Sequence, residues 1–305
     1  MVFDVIVLGD YCLDLIFTGL EALPKLGTEV EAKAFSIETG GPCNTALALH
    51  RLGVKTGWAC EFGEDDLSQI TLKKLREEKF PEDLFVHSKG NVRKITVALS
   101  YPNDRAFIAY YDKGKMVETA IKGMVTGTAK IIVIPALLYG PSLLASAFLT
   151  KVKGAQLFMD GNCSDEKVSI QDREIRKAIE RVRFYSPNAR EARSITRLDD
   201  LEQAARTLGK MCKTVIVKDG ANGCWCCDDN QIYFEPAYKV KVVDTTGAGD
   251  CFNAGFLCAW LNGKDIRSCL KWGNVAGGLS TQKAGGNGYR LTKGEISKIL
   301  GEVLP

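Results

Sequence analysis

The sequence predicts an α/β protein built on a mainly parallel sheet, with a second, smaller sheet beside it. Three observations carry this. Val5-Ile6-Val7-Leu8-Gly9 is an unbroken apolar run of the kind found in a strand buried on both faces. Strand and helix patterns then alternate with short connections along the 305 residues, which reads as one α/β domain over 1–305 rather than two. Two stretches, at about 13–37 and 93–111, alternate apolar and polar residues as half-buried strands do. Half-buried strands inserted into a parallel chain form a separate small sheet.

Taking the elements in order, Asp10 follows the first strand at its carboxyl end, the edge where open α/β sheets bind ligands. Asp10 and Asp14 are therefore candidates to accept hydrogen bonds from ligand hydroxyls, or else are solvated turn residues. No Gly-x-Gly-x-x-Gly follows this strand and no Gly-x4-Gly-Lys-Ser/Thr occurs, which excludes a dinucleotide-binding dehydrogenase and a P-loop enzyme. Residues 38–53 form a glycine turn, Gly40-Gly41, opening a helix that carries Asn44 and closes on Gly53. Around Pro102-Asn103-Asp104 the alternation of 93–111 predicts a hairpin. Its aromatics, Tyr101, Phe107, Tyr110 and Tyr111, are available to line a ligand, meet a partner subunit or pack in a core.

The middle continues with strands at 129–137 and 156–160 and helices at 142–151 and 171–181. Asp160 and Asn162 fall after a strand, facing the cleft or forming an Asx-turn. Asn188 and Glu191 stand three apart at the start of a helix, the spacing of a capping box. Residues 215–223 read as a buried strand running into a glycine turn, with Lys218, Gly220 and Gly223 at its end.

The stretch that points to chemistry is 240–256. A short alternating strand breaks into Asp244-Thr245-Thr246-Gly247-Ala248-Gly249-Asp250 and then into an apolar helix. Free N–H groups of Gly247, Ala248 and Gly249 at a helix start would make a phosphate site. A carboxylate inside such a site repels phosphate unless it must touch the hydroxyl that attacks the phosphate, which is what a kinase needs. The alternative is a capped helix start and nothing more. A second small-residue helix, with Asn274 and Gly277, ends in Lys283-Ala284-Gly285-Gly286-Asn287-Gly288.

Bulk properties narrow the partners. Basic and acidic side chains number 40 and 37, a net charge of +3, so no nucleic-acid footprint is present. Residues 1–10 lack a basic start, and the longest apolar run, 131–138, is far too short to span a bilayer, so a cytoplasmic protein with no membrane partner is expected. Eleven scattered cysteines fit reduced thiols, and Cys224, Cys226 and Cys227 read as one strand of a hairpin rather than a metal site. His50 and His87 have no metal-spaced partner and read as structural.

The run from Asp244 to Phe252 resembles the C-terminal signature of the ribokinase-like (phosphofructokinase B, PfkB) carbohydrate kinase family, which includes nucleoside kinases. Gly40, Gly41 and Asn44 resemble its N-terminal signature, and the two occur in the family's order. The resemblance implies a three-layer α/β/α fold with a β-sheet lid over the sugar at 13–37 and 93–111. It also implies phosphorylation of a hydroxyl on a sugar or sugar-like small molecule. Asp250 would be the catalytic base and the Gly247, Ala248 and Gly249 amides the anion hole, with Gly40, Gly41 and Asn44 on the sugar. It further implies ATP, with Asn188 and Glu191 at its phosphate end and Glu191 reaching Mg2+ through water. Lys218, Gly220 and Gly223 would contact phosphate or ribose, and Asn274 and Gly277 would lie at the adenine edge. A K+ site would be formed by backbone oxygens of Asp244, Thr246, Ser280, Lys283 and Gly285, and a homodimer would form through the lid. Cys12 and Leu13 stand where the ribose-specific member has Asn and Ala, which argues against ribose. The rival expectations are a nucleoside kinase, whose bases the lid aromatics would stack, and a catalytically silent sugar or nucleotide sensor.

Overall fold

The computed structural model describes residues 1–101, 105–163, 165, 167–302 and 304; the turn expected at Pro102-Asn103-Asp104 lies outside them. The strands in chain order are β1 (Val5–Leu8), β2 (Cys12–Thr18), β3 (Ala34–Gly40), β4 (Thr56–Ala59), β5 (Glu61–Phe62), β6 (Val86–His87), β7 (Lys94–Ser100), β8 (Arg105–Tyr111), β9 (Ile131–Ile134), β10 (Gln156–Asp160), β11 (Phe184–Ser186), β12 (Thr214–Lys218), β13 (Gly223–Asp228) and β14 (Gln231–Pro236). The main sheet runs β14-β13-β12-β11-β10-β9-β1-β4, parallel from β12 to β4, with β13 and β14 antiparallel at one edge. The small sheet runs β3-β2-β7-β8.

Strand alternation divides the core into two layers. Val5 and Val7 point into a cluster formed with the helices Pro42–Arg51, Ala248–Leu261 and Ile266–Ser280. Ile6 and Leu8 point to the other face, against the helices Arg173–Glu180 and Leu201–Gly209. This period of two on strands covered on both sides is why their sequences are apolar throughout. Phe184 is fully buried, with ring centroids 5.8 Å from Phe158, 5.9 Å from Phe256 and 5.3 Å from Trp260, so it joins the sheet to the helix that carries Asp250. The helices begin on polar caps such as Asp65, Asp200 and Asp265, each accepting from an amide of its own first turn.

The small sheet follows the expected alternation. Its register puts Leu15, Ile37, Val97 and Ile108 in one row and Phe17, Phe35 and Leu99 in the next, on one face. Asp14, Thr96 and Glu38 lie on the other. The Cys224 to Cys227 segment lies in β13, between β12 and β14, and all eleven cysteines are free thiols. His50 Nε2 donates to the Glu78 backbone oxygen at 3.0 Å beside Phe80, a structural role, while His87 is exposed. Among the described residues no helix is long and apolar enough to cross a membrane.

One element differs from expectation: residues 240–244 form no strand. Pro236 ends the β14 ladder, and beyond it Val243 N and Asp244 N both donate to the Thr281 carbonyl, at 2.7 Å and 3.0 Å, rather than to a neighbouring strand. Alternation of valine and lysine is not enough without a neighbouring strand to pair.

Phe184→Ala should cost about 3–5 kcal/mol of stability, read as a lower urea midpoint with an unchanged m-value. A loss below about 1 kcal/mol would contradict the bridging role assigned to this ring.

Candidate active site

Asp250 is the third residue of the helix Ala248–Leu261, whose cap, Gly247, has φ 71°. A side chain at Gly247 would be strained at that φ and would meet Gly286 Cα at 2.5 Å, so the turn requires glycine. The carboxylate does not cap its own helix. It faces the first turn of the helix Pro42–Arg51, where Thr45 Oγ1 donates to Oδ1 at 2.6 Å and Asn44 Nδ2 donates to Oδ2 at 3.3 Å. Asn44 is oriented in turn by Asn287, whose Nδ2 donates to Asn44 Oδ1 at 2.6 Å and to Thr39 O at 3.0 Å. Gly286 lies so close that a methyl group there would come within 2.5 Å of Asn44 Nδ2. Two helix amino-termini and a glycine loop therefore converge on one carboxylate.

Burial outweighs these favourable contacts and pushes the Asp250 carboxyl up to about 6. Asp160 adds to the rise, while Thr45, Lys218 and Asn44 oppose it. Of the three amides expected to be free, Ala248 N–H is not: it donates to Thr245 O at 3.2 Å, closing the turn that sets the Gly247 conformation. Among the described residues, the Gly247 and Gly249 amides have no protein acceptor.

Beside Gly249 lies Lys218, at the carboxyl end of β12; a methyl group on Gly249 would sit 3.6 Å from its Nζ. Lys218 pairs with Asp160 at 3.1 Å, and Asn253 donates to the same carboxylate while its Oδ1 accepts from Ser186 at 2.8 Å. An ammonium group is thereby fixed next to the Gly249 backbone. On the neighbouring loop, Asn188 and Glu191 form the reciprocal capping box: Asn188 N donates to Glu191 Oε2 at 2.8 Å and Glu191 N donates to Asn188 Oδ1 at 2.9 Å. Burial raises the Glu191 carboxyl above its ordinary value.

The opposite wall comes from the small sheet and the end of β1. Asp14 Oδ2 lies where a Cβ on Gly40 would be, 2.0 Å from that position, so only glycine fits there. Burial pushes the Asp14 carboxyl up to about 6. Asp10 pairs with Lys94 at 2.9 Å, and its Oδ1 is buried without a hydrogen-bond partner. Gly41, with φ 61°, caps the helix that supplies Asn44 and Thr45.

Other expected positions have local structural duties. Gly223 approaches the Glu235 carbonyl so closely that a Cβ would come within 2.1 Å, and Gly220 opens a short 3-10 turn. Asn274 donates to Glu235 O and Pro236 O, both at 3.1 Å, and a Cβ on Gly277 would touch Ala248 O at 3.0 Å. Asp244 joins two loops, accepting from Thr246 N at 2.9 Å and from Gly285 N at 2.8 Å. Ser280 Oγ donates to Gly277 O, and Lys283 is exposed. Thr45, Asn287, Lys94 and Asn253 were missed by the sequence reading. Thr45 and Asn287 lie inside segments already singled out, whereas Lys94 carries no local signal. Two cavities of about 530 Å3 sit at the amino ends of the strands, lined in part by Lys55 and Thr56 and by Gln156 and Arg183, remote from this cleft.

A model of the pfkB family carbohydrate kinases matches residues 2–292. An uncharacterized sugar kinase of Archaeoglobus fulgidus is 27% identical over 246 residues, covering 78% of this chain and 96% of that protein. An Arabidopsis thaliana ribokinase complexed with ribose and ATP is similar with a TM-score of 0.77, at 21% identity, over 99% of this chain and all of that one. A Burkholderia thailandensis nucleoside kinase in complex with inosine gives 0.79 at 18% identity, covering 97% of this chain and 96% of that one. At these identities the solved structures carry the fold alone: a ribokinase-like three-layer α/β/α arrangement with a small added sheet.

The raised carboxyl has a consequence for stability. Because Asp250 titrates at about 6 in the folded chain against an ordinary 3.8, its contribution is fully present below about pH 4 and lost as pH rises through 6. Asp250→Asn should therefore have a higher denaturant midpoint than the parent at pH 7, with the gap closing toward pH 4. A gap independent of pH would contradict this environment.

Proposed function

The chain belongs to the pfkB family of carbohydrate kinases, and from that premise we propose that Asp250 is the base in transfer of the ATP γ-phosphoryl group to a sugar hydroxyl. The observation that carries this is the convergence of Thr45, Asn44 and the Gly247 turn on one carboxylate beside an ammonium group. A carboxyl raised to about 6 is ionised at neutral pH yet more basic than an ordinary aspartate, which suits accepting a proton as the hydroxyl attacks. Thr45 and Asn44 fix its orientation toward the acceptor. The amides of Gly247 and Gly249, with Lys218, stabilise charge on the moving phosphoryl oxygens.

Asp10, Asp14, Gly40, Gly41 and Asn44 form the acceptor wall, and the small sheet acts as a lid over it within one domain spanning 1–305. Closure would exclude water, the competing phosphoryl acceptor. Asn188, Glu191, Lys218, Gly220 and Gly223 lie toward the nucleotide phosphates, with Asn274 and Gly277 supporting its adenine end by packing. Magnesium would neutralise phosphate charge when bound. Glu191 suits contact through water, since Oε2 already accepts from Asn188 N. Among the described residues no three His, Cys, Asp or Glu form a metal cage, which fits an ion held mainly by phosphates and water. A monovalent cation on backbone oxygens of 244, 246, 280, 283 and 285 is supported by the Asp244 carboxylate, which draws the two loops together.

A nucleoside kinase is the second reading. Tyr111 favours it: 56% exposed, on the same face as Asp14 and with its hydroxyl 3.2 Å from Thr96 Oγ1, it offers a surface for a base. A homodimer through the outer face of the lid is supported by the exposure of Phe35, Ile108 and Tyr110 there.

Asp250→Asn should lower kcat by about 10²–10⁴-fold while sparing ATP binding, measured by ADP release and by calorimetry. Retained turnover would exclude Asp250 as the base. Ile108→Lys should convert the dimer to a monomer in light scattering, and an unchanged mass would exclude this interface.

A further inference from the structure

We propose that the acceptor subsite takes an uncharged or amine-bearing polyol and rejects sugar acids and sugar phosphates, with the Asp10–Lys94 ion pair as the determinant. This rests on the kinase reading and adds the charge class of the acceptor.

The ammonium of Lys94 is the group that would otherwise receive an anionic substituent, and its charge is already matched by a buried carboxylate. Its side chain is 6% exposed, its Nζ lies 2.9 Å from Asp10 Oδ2, and it donates to Asp112 O at 2.7 Å. A second buried carboxylate, Glu61, lies close by: a methyl group on Gly114 would be 3.2 Å from Lys94 Nζ and 3.1 Å from Glu61 Oε2. Glu61 itself accepts from Lys115 N at 2.7 Å and from Ser88. One ammonium thus pairs with one carboxylate and has a second in its neighbourhood.

The acceptor atoms of the wall ask for donors. Asp10 Oδ1 is buried and unpartnered, so it is satisfied only by an O–H or N–H brought to it. Asp14 presses against Gly40, and Glu38, opposite it in register, is tied to Lys74 at 3.2 Å. Among the described residues, the ammonium groups that contact these carboxylates are Lys94 and Lys74, and both are already paired. Asp10, Asp14 and Glu38 therefore outnumber them, and an incoming carboxylate or phosphate would set acceptor against acceptor and like charge against like. Hydroxyls, which donate, meet the same atoms favourably.

The test is kcat/KM for ADP release by the full chain with ATP and Mg2+, across neutral pentoses, hexoses, amino sugars and nucleosides, aldonic and keto-deoxy sugar acids, and hexose monophosphates. Each class is also titrated by calorimetry. Neutral or amine-bearing acceptors should exceed every acid and phosphate by about 100-fold or more, the discrimination expected of uncompensated like charge. A sugar acid or sugar phosphate as the best substrate would overturn the inference and leave the kinase reading standing. Neutral polyols that bind without ADP release would uphold the inference and overturn the kinase reading. In Asp10→Asn the ammonium of Lys94 loses its partner, so the ratio of acid to neutral acceptor should rise at least about 10-fold. That ratio does not depend on the fraction folded, and an unchanged ratio would remove the ion pair from the role assigned here.

Discussion

The structure depends on holding one carboxylate where two helices begin. Asp250 would be better hydrated almost anywhere else, and the rise of its carboxyl to about 6 records that desolvation exceeds the help from Thr45, Asn44 and the helix termini. The arrangement persists because the surroundings are rigid. The helix Ala248–Leu261 is buried from Cys251 to Ala259, and Phe184 packs between the sheet and that helix. A carboxylate held against its desolvation cost needs a core of this kind to keep it in place.

The same logic orders the rest of the cleft. Glycines stand where a side chain would collide with a wall of the cleft: Gly40 against Asp14, Gly247 against Gly286, and Gly161 against Glu191. Charges stand at the carboxyl edge of the sheet, with Asp10 after β1, Asp160 ending β10 and Lys218 ending β12. The parallel topology delivers these groups to one side because every crossover returns to the same edge.

Much of this was legible in the sequence, and the boundary has a physical meaning. The buried strands, the glycine turns at 40–41 and 247–249, the capping box at 188–191 and the β12–β13 hairpin are local, encoded in adjacent residues and their periodicity. The segment 240–244 misled because strand pairing needs a neighbour that the segment cannot specify. Ala248 misled because a free amide and a turn amide have the same sequence. Lys94 was invisible because its meaning comes from Asp10, Glu61 and Asp112, which belong to separate stretches of chain. The mixture of parallel and antiparallel pairs in the small sheet was likewise beyond local reading, since β2 and β7 meet across more than seventy intervening residues.

The hydrogen bond between Asn287 and Asn44 joins residues 243 positions apart, and the one between Thr45 and Asp250 joins residues 205 apart. Such links form only after the chain through residue 287 is present. A nascent chain still emerging from the ribosome can fold its first strand and helix, yet the Asp250 carboxylate has no fixed orientation until the chain has been made through Asn287.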